Sequence, residues 1–316
     1  MPLILVTGAT GLTGTEVVRR LSARGAQVRA LVRNAEGSNA AKAAELSRLP
    51  GVEVAEGDMA RPESLIAALR DVDRAMLISS SDAALRGVDR AMLISSSDAA
   101  MRDVQYNFID AAASAGVRHV VKQSGIMPEI DSPFRFARMH GEIERHLEHS
   151  GMAFTHLRAG EFMHSYFRQV PSIVKAGTLL LPMADARIAS IDVGDIADVA
   201  ADVLTGSGHD GRTYSITGPE ALTMARVAAK LSAATGMPVR YVDVSPEDFR
   251  SARLAAGAPP YLVEGLVELF AERRKGKEAT VWPTMEDVFG RRPTSFDEFA
   301  GRHAAVFRGE LPSPRV

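Results

Sequence analysis

The sequence predicts an α/β protein, a doubly wound parallel sheet followed by a smaller, mostly helical C-terminal lobe. Three observations predict it. Short apolar runs alternate with helical periodicities from Leu3 to the region of Thr217, the pattern of parallel strands joined by helical crossovers. The first run enters the first helix through three glycines at three-residue spacing, in TGATGLTG. Beyond Gly218 the periodicity turns almost wholly helical. The expected division is 1–217 for the sheet domain and 218–316 for the lobe.

Leu3, Ile4, Leu5 and Val6 suit a strand covered on both faces. Gly8 permits a tight turn, Gly11 removes a side chain that would block a pyrophosphate, and Gly14 lets the helix lie close. The N–H groups and positive dipole end of the helix TEVVRRLSARG then face the phosphates of a dinucleotide. The second strand, AQVRALVRN, ends at Arg33 and Asn34. A site for NAD usually carries Asp or Glu there, to hold the ribose 2′-hydroxyl. A guanidinium from Arg33, or from Arg29 on the same strand, pairs instead with a 2′-phosphate. NADPH is therefore expected in preference to NADH, and ordinary solvated strand-end charges are the plainer alternative. Residues 37–49 suit a short helix, and GVEVAEGDM a third strand ending at Asp58. Asp58 either lies near an adenine edge or caps the next helix, ARPESLIAALR, whose Pro62 fits a first turn.

The run VDRAMLISSSDAA occurs at 72–84 and again at 88–100. One tandem duplication without a third copy excludes a solenoid. Both copies carry the same strand, AMLIS, so two registers compete for one slot in the sheet. The second copy lies at the more ordinary distance from the following helix, MRDVQYNFIDAAASAG, and is expected to form the strand. The spare copy is then a lid, an inert loop, or an assembly element that lends its strand to a neighbour in a homodimer.

VRHVVKQSG gives the fifth strand, ending at Ser124 and Gly125, and IMPEIDSPF a polar loop. The helix RFARMHGEIERHLEHSG stops at Gly151, and MAFTHLRAGEFMHSYF is a strand to about Arg158 followed by a helical turn. GTLLLPMADARIASIDVGDIADVAADVLTG holds two short strands and a helix that Asp192 or Asp195 can cap. RTYSITGP is the last strand of the domain. TMARVAAKLSAATG, SPEDFRSARLAAG and YLVEGLVELFAERRKG read as helices of the lobe, with VRYVDV as one short strand. Such a lobe is expected to close over the reactive end of a cofactor.

Composition narrows the function. The 316 residues carry a net charge of -2, which gives no electrostatic footprint for nucleic acid. The absence of cysteine excludes a disulfide framework, a thiolate nucleophile and a zinc–thiolate site. No apolar run approaches the roughly 20 residues needed to span a bilayer, and no leader precedes the first strand. No membrane and a cytoplasmic protein are expected. The 8 histidines include no H-E-x-x-H spacing. His146 and His149 share a helix face without an evident acid partner, so no metal is expected.

TGATGLTG, Gly57–Asp58, KQSG at 122–125, THLRAGEFM and SIDVGDIADVAADVL together resemble the NmrA-like, atypical short-chain dehydrogenase/reductase family over nearly the whole chain. The likeness is to its bacterial quinone and triphenylmethane-dye reductases. The resemblance implies a Rossmann-type domain holding NADP(H) along Gly8, Thr10, Gly11, Leu12, Thr13 and Gly14. Arg33, Asp58, the end of the fourth strand (Ser79, or Ser95 in the second copy) and Ser124 and Gly125 would continue that site. His140, Arg158 and Phe162 would border the nicotinamide. Elsewhere this family uses a Tyr-x-x-x-Lys pair as general acid/base. Here Phe136 and His140 hold that spacing, and none of the 5 tyrosines has Lys four residues later. Two functions follow. In the first, a reductase passes hydride from NADPH to a small electrophilic acceptor such as a quinone or dye, with His140 as proton donor and Ser124 as hydrogen-bonding partner. A solvated helix histidine is the plainer reading of His140. In the second, a nucleotide sensor binds a protein partner without turnover, but RRKGK at 273–277, the nearest thing to a basic patch, more simply ends a helix against its dipole. The reductase is favoured.

Overall fold

The computed structural model describes residues 2–35, 39–78 and 99–313. The chain forms two compact units: Met1–Ile130, Ala137–Arg158 and Val193–Tyr214 make the first, and Asp131–Phe136, Ala159–Asp192 and Ser215–Val316 the second. In order the elements begin β1 (Leu3–Val6), α1 (Leu12–Ala23), β2 (Gln27–Val32), α2 (Ala40–Leu46) and β3 (Val52–Glu56). Then come α3 (Leu65–Ala68), β4 (Arg74–Leu77), α4 (Met101–Ser114), β5 (His119–Gly125), α5 (Arg135–Glu148) and β6 (Ala153–Ala159). They continue with α6 (Val170–Ala176), β7 (Thr178–Leu181), β8 (Arg187–Ile188), α7 (Val193–Thr205), β9 (Arg212–Ile216) and β10 (Leu222–Thr223). The last are α8 (Met224–Thr235), β11 (Arg240–Asp243), α9 (Pro246–Ala255), α10 (Pro260–Arg273), α11 (Thr284–Asp287), α12 (Phe296–Arg302) and α13 (Ala304–Phe307).

The main sheet has seven strands in the order β3-β2-β1-β4-β5-β6-β9, and the pairs from β3 through β5 are parallel. Winding reverses between β1 and β4, the point beyond whose strand ends open α/β sheets bind their ligands. The central strands read as continuous apolar runs because both of their faces are covered: Ile4, Leu5, Val6, Ala75, Met76, Leu77, Val120 and Val121 are wholly buried. Helix α1 packs on α7, with Val17, Val18 and Leu21 buried on the one and Ile196, Val199, Ala200 and Val203 on the other. Arg20 and Arg24 tie the pair at its rim through Asp198 (2.9 Å) and Asp202 (2.8 Å).

The duplicated run does not behave as its loop lengths suggested. Strand β4 is built from the first copy, with Arg74, Ala75 and Met76 opposite Ile4, Leu5 and Val6. Helix α3 ends at Ala68 and hands the chain to this copy through Leu69–Asp73, and Arg74 locks the register by donating to the carbonyls of Leu204 (2.6 Å) and Gly206 (2.8 Å). The first copy to reach the slot takes it, so the duplicated length follows β4. The strand copy in 88–100, with Ser95, and the first copy's Ser79 lie outside the described residues.

Two helical expectations shorten. ARPESLIAALR forms a 3₁₀ turn, Pro62–Ser64, and the four-residue α3, and MHSYFRQ is a 3₁₀ turn, Met163–Gln169, leading into α6. In the second unit, β7 pairs with β11 and β8 with β10. Phe167, Phe296, Phe299 and Phe307 form a buried ring cluster that holds α12 and α13, elements with no counterpart in the sequence expectations. A full capping box, Ser295 with Glu298, starts α12.

Candidate active site

The turn after β1 stands at the point where the winding reverses. Thr7 stitches β1 to β4: its Oγ1 donates to the carbonyl of Ile78 (2.9 Å) and accepts from the Ile78 N–H (2.8 Å). Gly8 then takes a left-handed conformation (φ 59°), which glycine adopts without the penalty of a Cβ. The Gly11 N–H closes the turn on the Gly8 carbonyl (2.8 Å), and a Cβ on Gly14 would stand 2.1 Å from that same oxygen. The N-cap of α1 is Gly11, which has no side chain to cap it, so among the described residues the helix's first N–H groups carry no side-chain cap. Thr10 accepts a hydrogen bond from Lys42 Nζ on its carbonyl (2.6 Å), Leu12 begins α1 and Thr13 is buried in its first turn. The three glycines thus form a bare backbone cradle.

At the end of β2, Arg33 is half-buried and feels the charge of Asp58, which partly offsets the burial that lowers its pKa. Asp58 accepts the Ala60 N–H (2.9 Å), an Asx turn rather than a helix cap, since the next helical turn starts at Pro62. Arg29 is not available to a ligand. Its guanidinium is spent on Glu53 (2.5 Å) and on the carbonyls of Ala68 (2.9 Å) and Arg70 (2.6 Å).

A buried charged network lies along β5 and α5. His140 is only 4% exposed, so the solvated histidine is excluded. Gly125 makes this fit, because a Cβ there would stand 3.3 Å from the imidazole Cδ2. Behind the ring Lys122, fully buried within β5, places Nζ 3.0 Å from His140 Nδ1 and 3.2 Å from the Gln123 carbonyl. An ammonium only donates, so Nδ1 accepts and the neutral ring carries its proton on Nε2. Burial, reinforced by the Lys122 charge, holds His140 well below its ordinary 6.5. Glu144 on α5 accepts from Arg158 Nε (3.2 Å) and Nη2 (2.6 Å). Burial would raise this carboxyl, but the Arg158 hydrogen bond, with His156 and Lys122, keeps it below the usual value. Ser124 Oγ is buried, faces Glu144 and, among the described residues, makes no hydrogen bond of ordinary geometry.

The first unit therefore brings Ser124, Gly125, His140 and Arg158 together, whereas Phe162 belongs to the second unit, where its backbone bridges Ile191. Arg158 is committed to Glu144. Lys122 has no role among the sequence expectations, although a lysine inside the apolar run of β5 is itself a signal. Among the described residues Glu144, Glu148 and His156 have metal-ligand proximity, but Glu144 has both oxygens on Arg158 and His156 Nε2 meets Glu148 (3.1 Å). We read an ion-pair network there. His146 does have an acid partner, Asp110, at 2.7 Å.

Lys122 carries a pH signature. Burial lowers it from 10.5 to about 8, with Glu144 opposing and Arg158 adding to the effect. The unfolded chain holds this proton more tightly, so stability rises as pH climbs from about 8 to 10.5 and is lost as pH falls through 8. Urea midpoints should rise over that interval in the native protein, and the contribution should vanish in Lys122→Met. An equal rise in both would refute it.

A doubly wound sheet with a glycine turn where its winding reverses defines a Rossmann-like protein. The chain belongs to the NmrA-like family, whose model matches residues 2–300, and its relatives make it an oxidoreductase of that family. It is 38% identical over 305 residues to the NAD(P)H azoreductase of Xenophilus azovorans, covering 96% of this chain and 99% of the relative. It is 36% identical over 309 residues to the (4-alkanoyl-5-oxo-2,5-dihydrofuran-3-yl)methyl phosphate reductase of Streptomyces griseus, covering 98% and 100%. Among solved structures, an NADPH-dependent quinone oxidoreductase of Escherichia coli complexed with NADPH superposes with a TM-score of 0.81 at 30% identity, covering 95% and 99%. No helix among the described residues is long and apolar enough to cross a membrane.

Proposed function

We propose that the protein is an NAD(P)H-dependent reductase of small electrophilic acceptors, quinones or azo and triphenylmethane dyes, and that it prefers NADPH. The observation that carries this reading is the bare cradle of Gly8, Gly11 and Gly14 beneath the uncapped start of α1, which leaves space and N–H donors for a pyrophosphate. Thr10, Leu12 and Thr13 belong to the same loop. Arg33 would hold a 2′-phosphate, supported by its position at the end of β2 and by the absence of an acidic residue at 33 or 34. When bound, a reduced nicotinamide supplies hydride. His140 would pass the Nε2 proton to the acceptor as Nδ1 takes one from the Lys122 ammonium, so that the ring stays neutral, and Ser124 Oγ would supply a hydrogen bond. Such acceptors are electrophilic enough to need little more than orientation and one donor. A nucleotide sensor with a protein partner is the alternative, and the reductases among the relatives weigh against it.

The test is NADPH oxidation at 340 nm against quinones and dyes, with NADH in parallel. Steady turnover favouring NADPH is expected, and Arg33→Ala should erase most of that preference. Tight NADPH binding without turnover on any acceptor would overturn the reductase reading. Equal rates with both nucleotides would remove Arg33 from it.

A further inference from the structure

In the second unit, Arg168 sits in the 3₁₀ turn Met163–Gln169 with its guanidinium turned inward. Its Nε and Nη2 atoms are buried and have no hydrogen-bond partner among the described residues. These two atoms form the side-on edge of the guanidinium, which matches a pair of oxygens. Elsewhere the chain spends that same edge on carboxylates: Arg158 on Glu144 (3.2 and 2.6 Å), Arg250 on Glu264 (2.8 and 3.2 Å) and Arg308 on Glu310 (2.7 and 2.7 Å). Arg168 presents the edge with nothing on it.

The surroundings do not neutralise it. Glu161 is the carboxylate whose charge it feels, and Arg253 and Arg273 add positive charge. Glu161 is already taken, one oxygen by Ser165 and the other by Arg273. Arg273 also holds Glu278 at 3.0 Å, whose carboxyl burial pushes upward, towards the neutral acid. Arg168 and Arg273 thus compete for Glu161, and Arg253 adds a third positive charge. A buried charge with unmade hydrogen bonds is among the costliest arrangements a fold can hold, and it calls for a partner that completes it.

We propose that Arg168 is the anchor of an oxyanion-binding site in the second unit, taking a carboxylate, sulfonate or phosphate side-on through Nε–H and Nη2–H. Arg253 and Arg273 supply the surrounding positive field. Arg168 keeps part of its surface exposed, but Nε and Nη2 are themselves covered, so an anion reaches them only as neighbouring groups move aside. The oxyanion comes either from solution or as a substituent of the acceptor. Only the second source rests on the reductase reading.

Two arms test this on the full chain. In the first, thermal unfolding is followed in sodium sulfate and in sodium chloride at matched ionic strength. Sulfate should raise the midpoint of the native protein by several degrees more than chloride, and the difference should disappear in Arg168→Met and Arg168→Gln. In chloride neither substitution should lower the midpoint, since each removes a buried unpaired charge. An equal response to both salts, or a large loss of stability in chloride for both variants, overturns the site. In the second arm, KM is compared for a sulfonated naphthoquinone and its unsulfonated parent. With the acceptor as source, Arg168→Met should raise KM for the sulfonated compound about 10- to 100-fold, the scale of a lost charge-assisted contact, and leave KM for the parent and for NADPH unchanged. Sulfate protection with unchanged KM values assigns the site to a free anion. If the native protein turns over neither quinone, the reductase reading fails and the thermal arm still decides the site.

Discussion

Gly14→Ala is expected to lower NADPH affinity about 100-fold while leaving most of the fold intact. The new Cβ would stand 2.1 Å from the Gly8 carbonyl oxygen, 2.6 Å from its carbon and 2.9 Å from Ala9 Cα. All three are backbone atoms, so no side chain can swing aside and the turn itself must open. Forcing a methyl group into such a contact costs roughly 1–3 kcal/mol. If only the closed turn presents its N–H groups to a pyrophosphate, a cost of ~3 kcal/mol becomes about two decades of apparent affinity. Gly25→Ala is the control. Unlike Gly14 it has a positive φ (74°), but none of the described residues lies within 4 Å of its Cβ, so it should cost roughly 1–2 kcal/mol of stability and nothing in affinity. Calorimetric titration of both variants with NADPH decides, and near-native binding by Gly14→Ala would remove the cradle from the reading.

His140→Ala should reduce kcat by about 10²- to 10⁴-fold, the usual contribution of a positioned proton donor, with little change in KM for NADPH. Lys122→Met should produce a smaller fall in kcat. In the proposed reading Lys122 acts through the ring: while it is charged, Nδ1 must accept, the ring proton stays on Nε2, and the ammonium can replace a proton that the ring gives up. Lys122 loses its proton as pH rises through about 8, so the native kcat should decline above that pH. Burial sets that value, with the Glu144 charge opposing it and the Arg158 charge adding to it, and His156 and His140 also face the lysine in the same network. Both variants should lose the alkaline limb. No acidic limb from His140 is expected near 6.5, because its protonation lies well below that value. An alkaline limb that persists in Lys122→Met would show that the lysine serves only packing.

The parts of the site that were legible in the sequence are those fixed by local geometry. Three glycines between an apolar strand and an amphipathic helix specify a cradle because the turn, the close approach and the helix start all lie within a few residues of one another. Arg33 and Asp58 were legible as candidates for the same reason, as the ends of successive strands. The alternative readings of His140 and Arg29 could not be decided in the same way. Arg29 sits on the same strand as Arg33, yet its partners Glu53, Ala68 and Arg70 come from later elements.

By itself the sequence determined the doubly wound fold, the glycine cradle and the strand ends, since these follow from short-range periodicity and from backbone conformations open only to glycine. Tertiary structure decided the rest. Two identical copies have identical propensities and offer the same arginine, Arg74 or Arg90, to the carbonyls of Leu204 and Gly206, so only the short path from α3 could choose the first for β4. Lys122 and His140 are eighteen residues apart and meet because β5 and α5 pack together. Arg168 gives no local sign that its hydrogen bonds are unmade, because satisfaction of a buried charge depends on every element folded around it.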